Sequence, residues 1–116
     1  MSLDLDAVIK NIIEKFSSRV YFILITTPNG VIVKSYINEE EFNKSSISLN
    51  ISQLYETAEE ITDGCGIHSP DFVTVHSDNY FILSIKILEK IIILLTEDQI
   101  EIKKALNIIN ECITPE

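Results

Sequence analysis

Two segments of the chain are apolar on both alternating faces, and this feature constrains the fold more than any other. Val20–Thr26 and Ile91–Leu95 are short runs that carry no charged side chain. A strand of this kind must be covered on both sides, so it belongs inside a sheet with helices on each face. The sequence therefore predicts an α/β sandwich with these two strands at the centre of its sheet.

Three further segments complete the predicted sheet. Val31–Ile37 follows the first central strand across the turn Thr27–Gly30, and its lysine and serine suit an edge strand. Phe72–His76 and Tyr80–Ile87 precede the second central strand across short links, which is typical of an antiparallel meander. We therefore expect a single five-stranded antiparallel sheet.

Helical spacing of apolar residues marks the first and last helices. A stripe from Leu5 to Phe16 predicts the first helix, with Asp4 as its N-cap. Thr96–Gln99 has the form of a capping box and predicts that the last helix begins there and ends near Thr114. The predicted order is α-β-β-α-β-β-β-α in one domain spanning residues 1–116.

The middle of the chain predicts a long helix, Glu39–Thr62. Asn38 would cap it, Glu39–Glu41 would complement its dipole, and Gly64–Gly66 would end it. Strict alternation in Ser46–Ser52 is the competing strand signature. We favour the helix because steps of four and three residues put a longer set on one narrow face, which we expect to cover the sheet: Ile47, Ile51, Leu54, Ala58 and Ile61.

A second stripe on this helix indicates a contact surface. Phe42 and Leu49 would project away from the sheet, among small serines that let another helix approach closely. The edge strand Phe72–His76 has neither charge nor proline at Val73–Val75 to block further pairing. The simplest occupant is a second copy around a two-fold axis. The alternative is that single exposed apolar residues are ordinary.

Charge and apolar run lengths exclude several classes of partner. The chain has 18 acidic and 9 basic residues, so its net charge of −9 disfavours nucleic acid and anionic membrane surfaces. Its longest aliphatic run is Ile91–Leu95, too short to span a bilayer.

The two cysteines form no paired motif, which indicates a reducing, cytoplasmic compartment. The sequence does not decide whether Met1–Leu3 is native or a cloning remnant.

No group of residues has the pattern of a catalytic or metal site. Cys65 and His68 lie close together, with Asp63 before them and His76 beyond, but the second ligand pair of a zinc site is missing. The doublet Gly64-x-Gly66 follows a helix and lacks the third glycine of a dinucleotide fingerprint. We predict a protein that is not an enzyme and needs no cofactor. An enzyme dependent on Cys65 is the minor alternative.

Several features together resemble the roadblock/dynein light-chain family. They are the Phe22–Val33 hairpin with its Asn-Gly turn, the long helix, the Gly64-x-Gly66 exit and the closing meander. The resemblance covers nearly the whole chain. It implies a non-catalytic homodimer that pairs the long helices and joins the third strands. Carried onto this chain, it implies an interface of Phe42, Ser45, Leu49, Ser52, Val73 and Val75.

The same resemblance implies the partners. Members of the family act as scaffolds and regulators for small Ras-like GTPases, or as adaptors on motor complexes. The serine-rich stretch Ser45–Ser52 departs from the alanine- and leucine-rich helix usual there, which makes a heterodimer with a paralogue an alternative to self-pairing. A ligand-sensing module of the PAS or profilin-like type is the rival function, although the two central strands predict a filled interior.

Overall fold

A five-stranded antiparallel sheet lies between helices on both faces. The structure, a computed structural model, describes residues 1–17, 19–38, 42–97 and 101–115. The helices are α1 (Leu5–Lys15), α2 (Lys44–Gly64) and α3 (Ile102–Glu111). The strands are β1 (Ser2–Leu3), β2 (Val20–Thr26), β3 (Ile32–Ile37), β4 (Val73–Ser77), β5 (Tyr80–Ile87), β6 (Lys90–Glu97) and β7 (Ile113–Thr114). The main sheet has the order β3-β2-β6-β5-β4, which confirms the predicted class and both predicted edge strands.

The sheet separates two apolar clusters. On one face, α1 and α3 pack against alternate side chains of the central strands, including Ile23 and Ile92. On the other face, α2 packs against their neighbours, including Phe22 and Ile93. The central residues of β2 and β6 are buried on both faces of the sheet, as the apolar pattern of these strands predicts.

A small second sheet joins the two ends of the chain. Ser2 pairs with Thr114 and Leu3 with Ile113, and the Asp4 amide donates to the Cys112 carbonyl oxygen over 2.9 Å. These strands are not predictable from sequence pattern, because two residues are too few to show a period.

Helix α1 follows the prediction, but α2 begins later than predicted. The Asp4 carboxylate accepts from the Ala7 amide at 3.1 Å, so it caps α1. The predicted N-cap of α2, Asn38, is wrong, because the Asn38 amide still pairs with the Tyr21 carbonyl of β2. The true N-cap is Asn43, whose side chain accepts from the Ser46 amide at 3.1 Å. The predicted first turn, Glu39–Glu41, lies outside the described residues.

The predicted capping box at Thr96 is also wrong. Thr96 belongs to β6, where it pairs with Val20 and Phe81, and its side chain is buried. Strand pairing therefore outcompetes the capping role. Helix α3 begins after Glu101 instead, and the intervening residues 98–100 are outside the described part of the chain.

Candidate interaction surface

Two of the four side chains that helix α2 buries against the sheet are small serines. Its buried residues are Ser48, Ile51, Ser52 and Tyr55. The Ser48 hydroxyl donates to the Gly30 carbonyl oxygen at 2.9 Å, which ties the helix to the β2–β3 turn. Gly30 has a φ of +87°, and a Cβ added there would lie 2.8 Å from the Ser52 Oγ. The helix and the turn therefore pack as closely as their backbones allow.

This close contact rotates the apolar row of α2 away from the sheet. The prediction that the whole row faces the sheet is wrong for Leu54 and Ile61, which are 38% and 62% exposed, whereas Ile47 packs against the cluster beneath α2 as predicted. At about 100° per residue, the row lies roughly a quarter turn from the buried side. Only Ile51 of the predicted set is buried. The row thus remains an apolar stripe, on one flank of the helix.

Helix α2 crosses the sheet from the β3 side to the β4 side. Its first half lies against the β2–β3 turn, as the Ser48 contact shows. Its second half reaches β5, where the Lys86 ammonium group donates to the Glu59 carboxylate at 3.2 Å. The Tyr55 hydroxyl donates to the Pro70 carbonyl at 2.7 Å and accepts from the Lys86 amide at 3.4 Å. Burial raises the pKa of Tyr55. Leu54 and Ile61 belong to this second half of the helix, whose Tyr55 side chain contacts the segment leading into β4.

Strand β4 leaves one side of its backbone open. It is the last strand of the sheet, and within the described residues it pairs only with β5. The Ser84 hydroxyl of β5 donates to the Val73 carbonyl oxygen at 3.1 Å, so that carbonyl points into the sheet. Hydrogen-bonding groups alternate in direction along an antiparallel strand. The backbone N–H and C=O groups of Thr74 and His76 therefore point outwards.

The opposite edge of the sheet is protected and β4 is not. Strand β3 carries Lys34, and a register shift against β2 leaves Val33 as an extra residue. Charges and bulges of this kind block the addition of further strands. Strand β4 has neither lysine nor proline, and its pairing with β5 is regular. Its edge is thus competent to accept another strand.

Apolar side chains connect α2 with this edge. Leu95, Ile82 and Val75 are opposite one another on β6, β5 and β4, so they point to the same face. Ile82 and Leu95 pack against the cluster beneath α2, while Val75 is 39% exposed. We call this region the α2–β4 surface. It consists of Leu54, Ile61, Val73, Val75, Ile82 and Leu95.

Comparison with solved structures identifies the fold. A Roadblock/LC7 domain from Streptomyces avermitilis matches with a TM-score of 0.75 at 12% identity, over 94% of this chain and 91% of that one. The gliding protein MglB from Thermus thermophilus matches with a TM-score of 0.74 at 6% identity, over 90% and 79%. An MglB with a tetrameric arrangement matches with a TM-score of 0.71 at 8% identity, over 91% and 88%.

The protein has the roadblock fold. The resemblance seen in the sequence is thereby confirmed at the level of the fold. No family model and no curated protein matches the sequence.

Within the roadblock fold, the six residues of the predicted interface differ in burial and in the elements that carry them. Val73 and Val75 lie on the edge strand, as expected. Ser45 and Leu49 are exposed at the other end of α2, where the Leu49 backbone meets the β2–β3 turn. The predicted outward direction of the other two is wrong. Phe42 precedes the helix and packs edge-to-face on Phe22 at 5.3 Å, and Ser52 is buried.

A tyrosine cluster borders the α2–β4 surface. The Tyr21 hydroxyl donates to the Glu97 carboxylate at 2.7 Å. The Arg19 guanidinium lies 4.6 Å from the centroid of the Tyr21 ring. The ring of Tyr80 meets the Tyr21 ring edge-on, with 5.7 Å between the two centroids. The bond to Glu97, together with burial and the charge of that carboxylate, raises the pKa of Tyr21 to about 12. Tyr80, in contrast, is exposed beside β4.

The residues considered for metal binding or catalysis are dispersed. Cys65 caps the end of α2 and His68 lies in the following loop, both exposed. His76 stacks on Phe81 with a ring separation of 4.1 Å. In the described ranges no three His, Cys, Asp or Glu side chains come together as metal ligands. None of the described helices has both the length and the apolar character needed to cross a bilayer.

Proposed function

We propose that this protein is a dimeric, non-catalytic scaffold of the cytoplasm that binds a small Ras-like GTPase. The observation that carries the proposal is the unprotected β4 edge beside an exposed apolar row of α2. A single protomer has no internal use for either feature. Together they form a surface that offers both backbone hydrogen bonds and apolar area to a second protein.

A second copy of the chain fits this surface by symmetry. A two-fold axis normal to the sheet would pair β4 with its copy in antiparallel order, using the outward groups of Thr74 and His76. The same axis keeps both α2 helices on one face of the joined sheet. The exposed parts of Leu54 and Ile61 would then be covered, which contributes on the order of 1 kcal/mol for each side chain.

Compared with the interface predicted from the sequence, this arrangement keeps the strand residues and replaces residues of the helix. Val73 and Val75 stay in the proposed interface, because they lie on the pairing strand. Leu54 and Ile61 replace Phe42 and Ser52, which point into their own protomer. Leu49 lies at the β2–β3 end of α2, on the far side of the sheet from β4, and provides a matched control.

The fold supports the choice of partner. The roadblock/dynein light-chain family that the sequence resembles contains scaffolds for Ras-like GTPases and adaptors on motor complexes. Two of the similar structures are MglB proteins, and one is described with a tetrameric arrangement. Self-association followed by GTPase binding is therefore the function we propose. A paralogue could replace the second copy at the same surface.

A binding assay with nucleotide-loaded GTPases tests the partner. The Ras-like GTPases of the source organism would be purified, loaded with GDP or a non-hydrolysable GTP analogue, and titrated by calorimetry. We expect one of them to bind in a nucleotide-dependent manner. If every one of these GTPases fails to bind in both nucleotide states, the GTPase part of the proposal is contradicted. Parallel titrations with Leu54→Glu and Leu49→Glu report whether binding needs the dimer.

A further inference from the structure

We infer that pairing at the α2–β4 surface completes the folding of α2. In a separate protomer α2 opens locally, and a second copy holds it closed. This inference rests on the proposed dimer and adds a means of regulating it. Whatever stabilises α2 in the protomer strengthens the dimer, and whatever loosens α2 weakens it. Three independent features of α2 lead to this conclusion.

The first feature is the composition of the helix. Eight of the 21 residues of α2 are serine, threonine, asparagine or glycine, all weaker helix formers than alanine or leucine. Serine, threonine and asparagine also compete for backbone hydrogen bonds through their own side chains. This competition is visible in α2, where the hydroxyls of Ser52 and Thr62 each donate to the carbonyl three residues earlier.

The second feature is the direction of the charges. Helix α2 opens with Lys44, has no acidic residue in its first turn and no basic residue in its last. Glu60 and Asp63 instead lie near its C-terminal end. The helix dipole is positive at the N-terminus and negative at the C-terminus, so this distribution is unfavourable at both ends. Helix α1 shows the favourable arrangement, with Asp6 in its first turn and Lys15 in its last.

The third feature is that only two of the 21 residues of α2, Ile51 and Tyr55, are buried apolar side chains. Two of its four buried side chains are serines, and its largest apolar side chains in the Leu54–Ile61 row are exposed. Helices α1 and α3 share the larger apolar cluster on the other face. Tertiary packing supplies most of the stability of helices in proteins. The packing that α2 lacks is the packing that a second copy would provide.

These features together place α2 at the low-stability end of the protomer. Segments with few buried apolar contacts open locally more often than the rest of a protein. If only protomers with a closed α2 can pair, the apparent dissociation constant of the dimer is raised. It rises further as the fraction of closed protomers falls. A substitution far from the α2–β4 surface can then change the dimer through helix stability alone.

Hydrogen exchange on the full chain measures the opening directly. Exchange would be followed by mass spectrometry in peptides covering α2 and α3, below and above the dimer dissociation constant determined by sedimentation. We expect α2 to exchange at least about tenfold faster than α3 in the monomer and to become protected on dimerisation. Equal protection of α2 and α3 in the monomer would overturn the inference and leave the dimer intact. A chain that never self-associates would overturn the dimer itself.

Substitutions at Ser46 separate helix stability from surface burial. Ser46 is exposed in the first turn of α2, and its amide bonds to the Asn43 cap. Ser46→Glu would complete a capping box with Asn43 and complement the dipole, whereas Ser46→Lys would oppose it. We expect Ser46→Glu to tighten the dimer at least about threefold and Ser46→Lys to weaken it.

The added charges distinguish an effect of helix stability from an effect of charge repulsion between the two chains. General repulsion between two chains of net charge −9 would weaken the dimer when glutamate is added and strengthen it when lysine is added. That is the reverse of the order expected from helix stability. A dimer constant that is unchanged in both variants, or that follows the repulsion order, would overturn the coupling. The oligomeric state of the wild-type chain, measured in the same experiment, tests the dimer separately.

Discussion

The hydroxyl of Tyr55 donates to the carbonyl oxygen of Pro70 across 2.7 Å. This bond joins the middle of α2 to the segment that leads into β4, so it aligns the two halves of the α2–β4 surface. The same hydroxyl accepts from the Lys86 amide of β5, beyond the point where β4 stops pairing. One buried side chain thus holds together the helix, the loop and the sheet.

Tyr55→Phe should weaken both the fold and the dimer. The variant keeps the buried ring but leaves the Pro70 carbonyl and the Lys86 amide without this partner, at a cost of about 1 kcal/mol in the free energy of unfolding. Urea unfolding measures that loss, and sedimentation measures the dimer. Ser69→Ala, in the same loop but on its exposed surface, is the control and should change neither. An unchanged free energy of unfolding in Tyr55→Phe would show that the hydrogen bond does not stabilise the fold.

Gly30→Ala should destabilise the protomer by more than about 1 kcal/mol. The added Cβ would meet the Ser52 Oγ at 2.8 Å and the Leu49 Cα at 3.0 Å, and the φ of +87° is itself unfavourable for alanine. Gly64→Ala is the matched control, because its added Cβ would meet no heavy atom within 4 Å beyond its chain neighbours and the backbone of its own helix. Urea midpoints for the two variants should differ clearly, and equal midpoints would contradict the close packing of α2 on the turn.

Thr74→Pro should dissociate the dimer while the protomer stays folded. Proline removes the outward N–H that pairing of two β4 strands requires, and edge strands tolerate proline where the N–H points away from the sheet. Thr74→Ala removes the side chain but keeps the N–H, so this control should remain dimeric. Mass from light scattering and far-ultraviolet circular dichroism provide the two readouts. A dimer that persists in Thr74→Pro would exclude strand pairing at this edge.

Stability should fall in alkaline solution because of Tyr21. Its pKa is raised from 10.0 to about 12 in the folded protein, first by its bond to Glu97. Above about pH 10 the unfolded chain therefore releases a proton that the folded chain retains. The contribution of Tyr21 is complete below about pH 10 and is lost as the pH rises towards about 12. The advantage of the wild type over Tyr21→Phe in urea midpoint should shrink over this range. A constant difference would contradict the shifted pKa.

Much of the fold could be predicted because it depends on local pattern. The uncharged runs around Phe22 and Ile93 specify central strands, and the three- and four-residue spacing in α1 specifies a helix. The start of α2 could not be predicted from caps alone, because Asn38 and Asn43 are chemically equivalent candidates. Strand pairing to Tyr21 decides between them, and that pairing is a long-range contact.

The candidate surface was only half predictable for a related reason. Val73 and Val75 are identified by an edge strand without charges. The rotation of α2 was missed because a narrow apolar row is normally the buried face of a helix. The signal that could have revealed it is the set Ser48, Ser52 and Tyr55, which recurs at helical spacing on another side. Small residues facing a glycine turn indicate close packing, but only after Gly30 is known to lie opposite.

Sedimentation equilibrium of three chains tests the central claim most directly. Leu54→Glu and Leu49→Glu place the same charge at two similarly exposed positions of α2, 38% and 48%, and only Leu54 lies on the α2–β4 surface. We predict twice the mass of one chain for the wild type and for Leu49→Glu, and the mass of a single chain for Leu54→Glu. A monomeric wild type, or a Leu54→Glu variant that remains dimeric, would contradict the account.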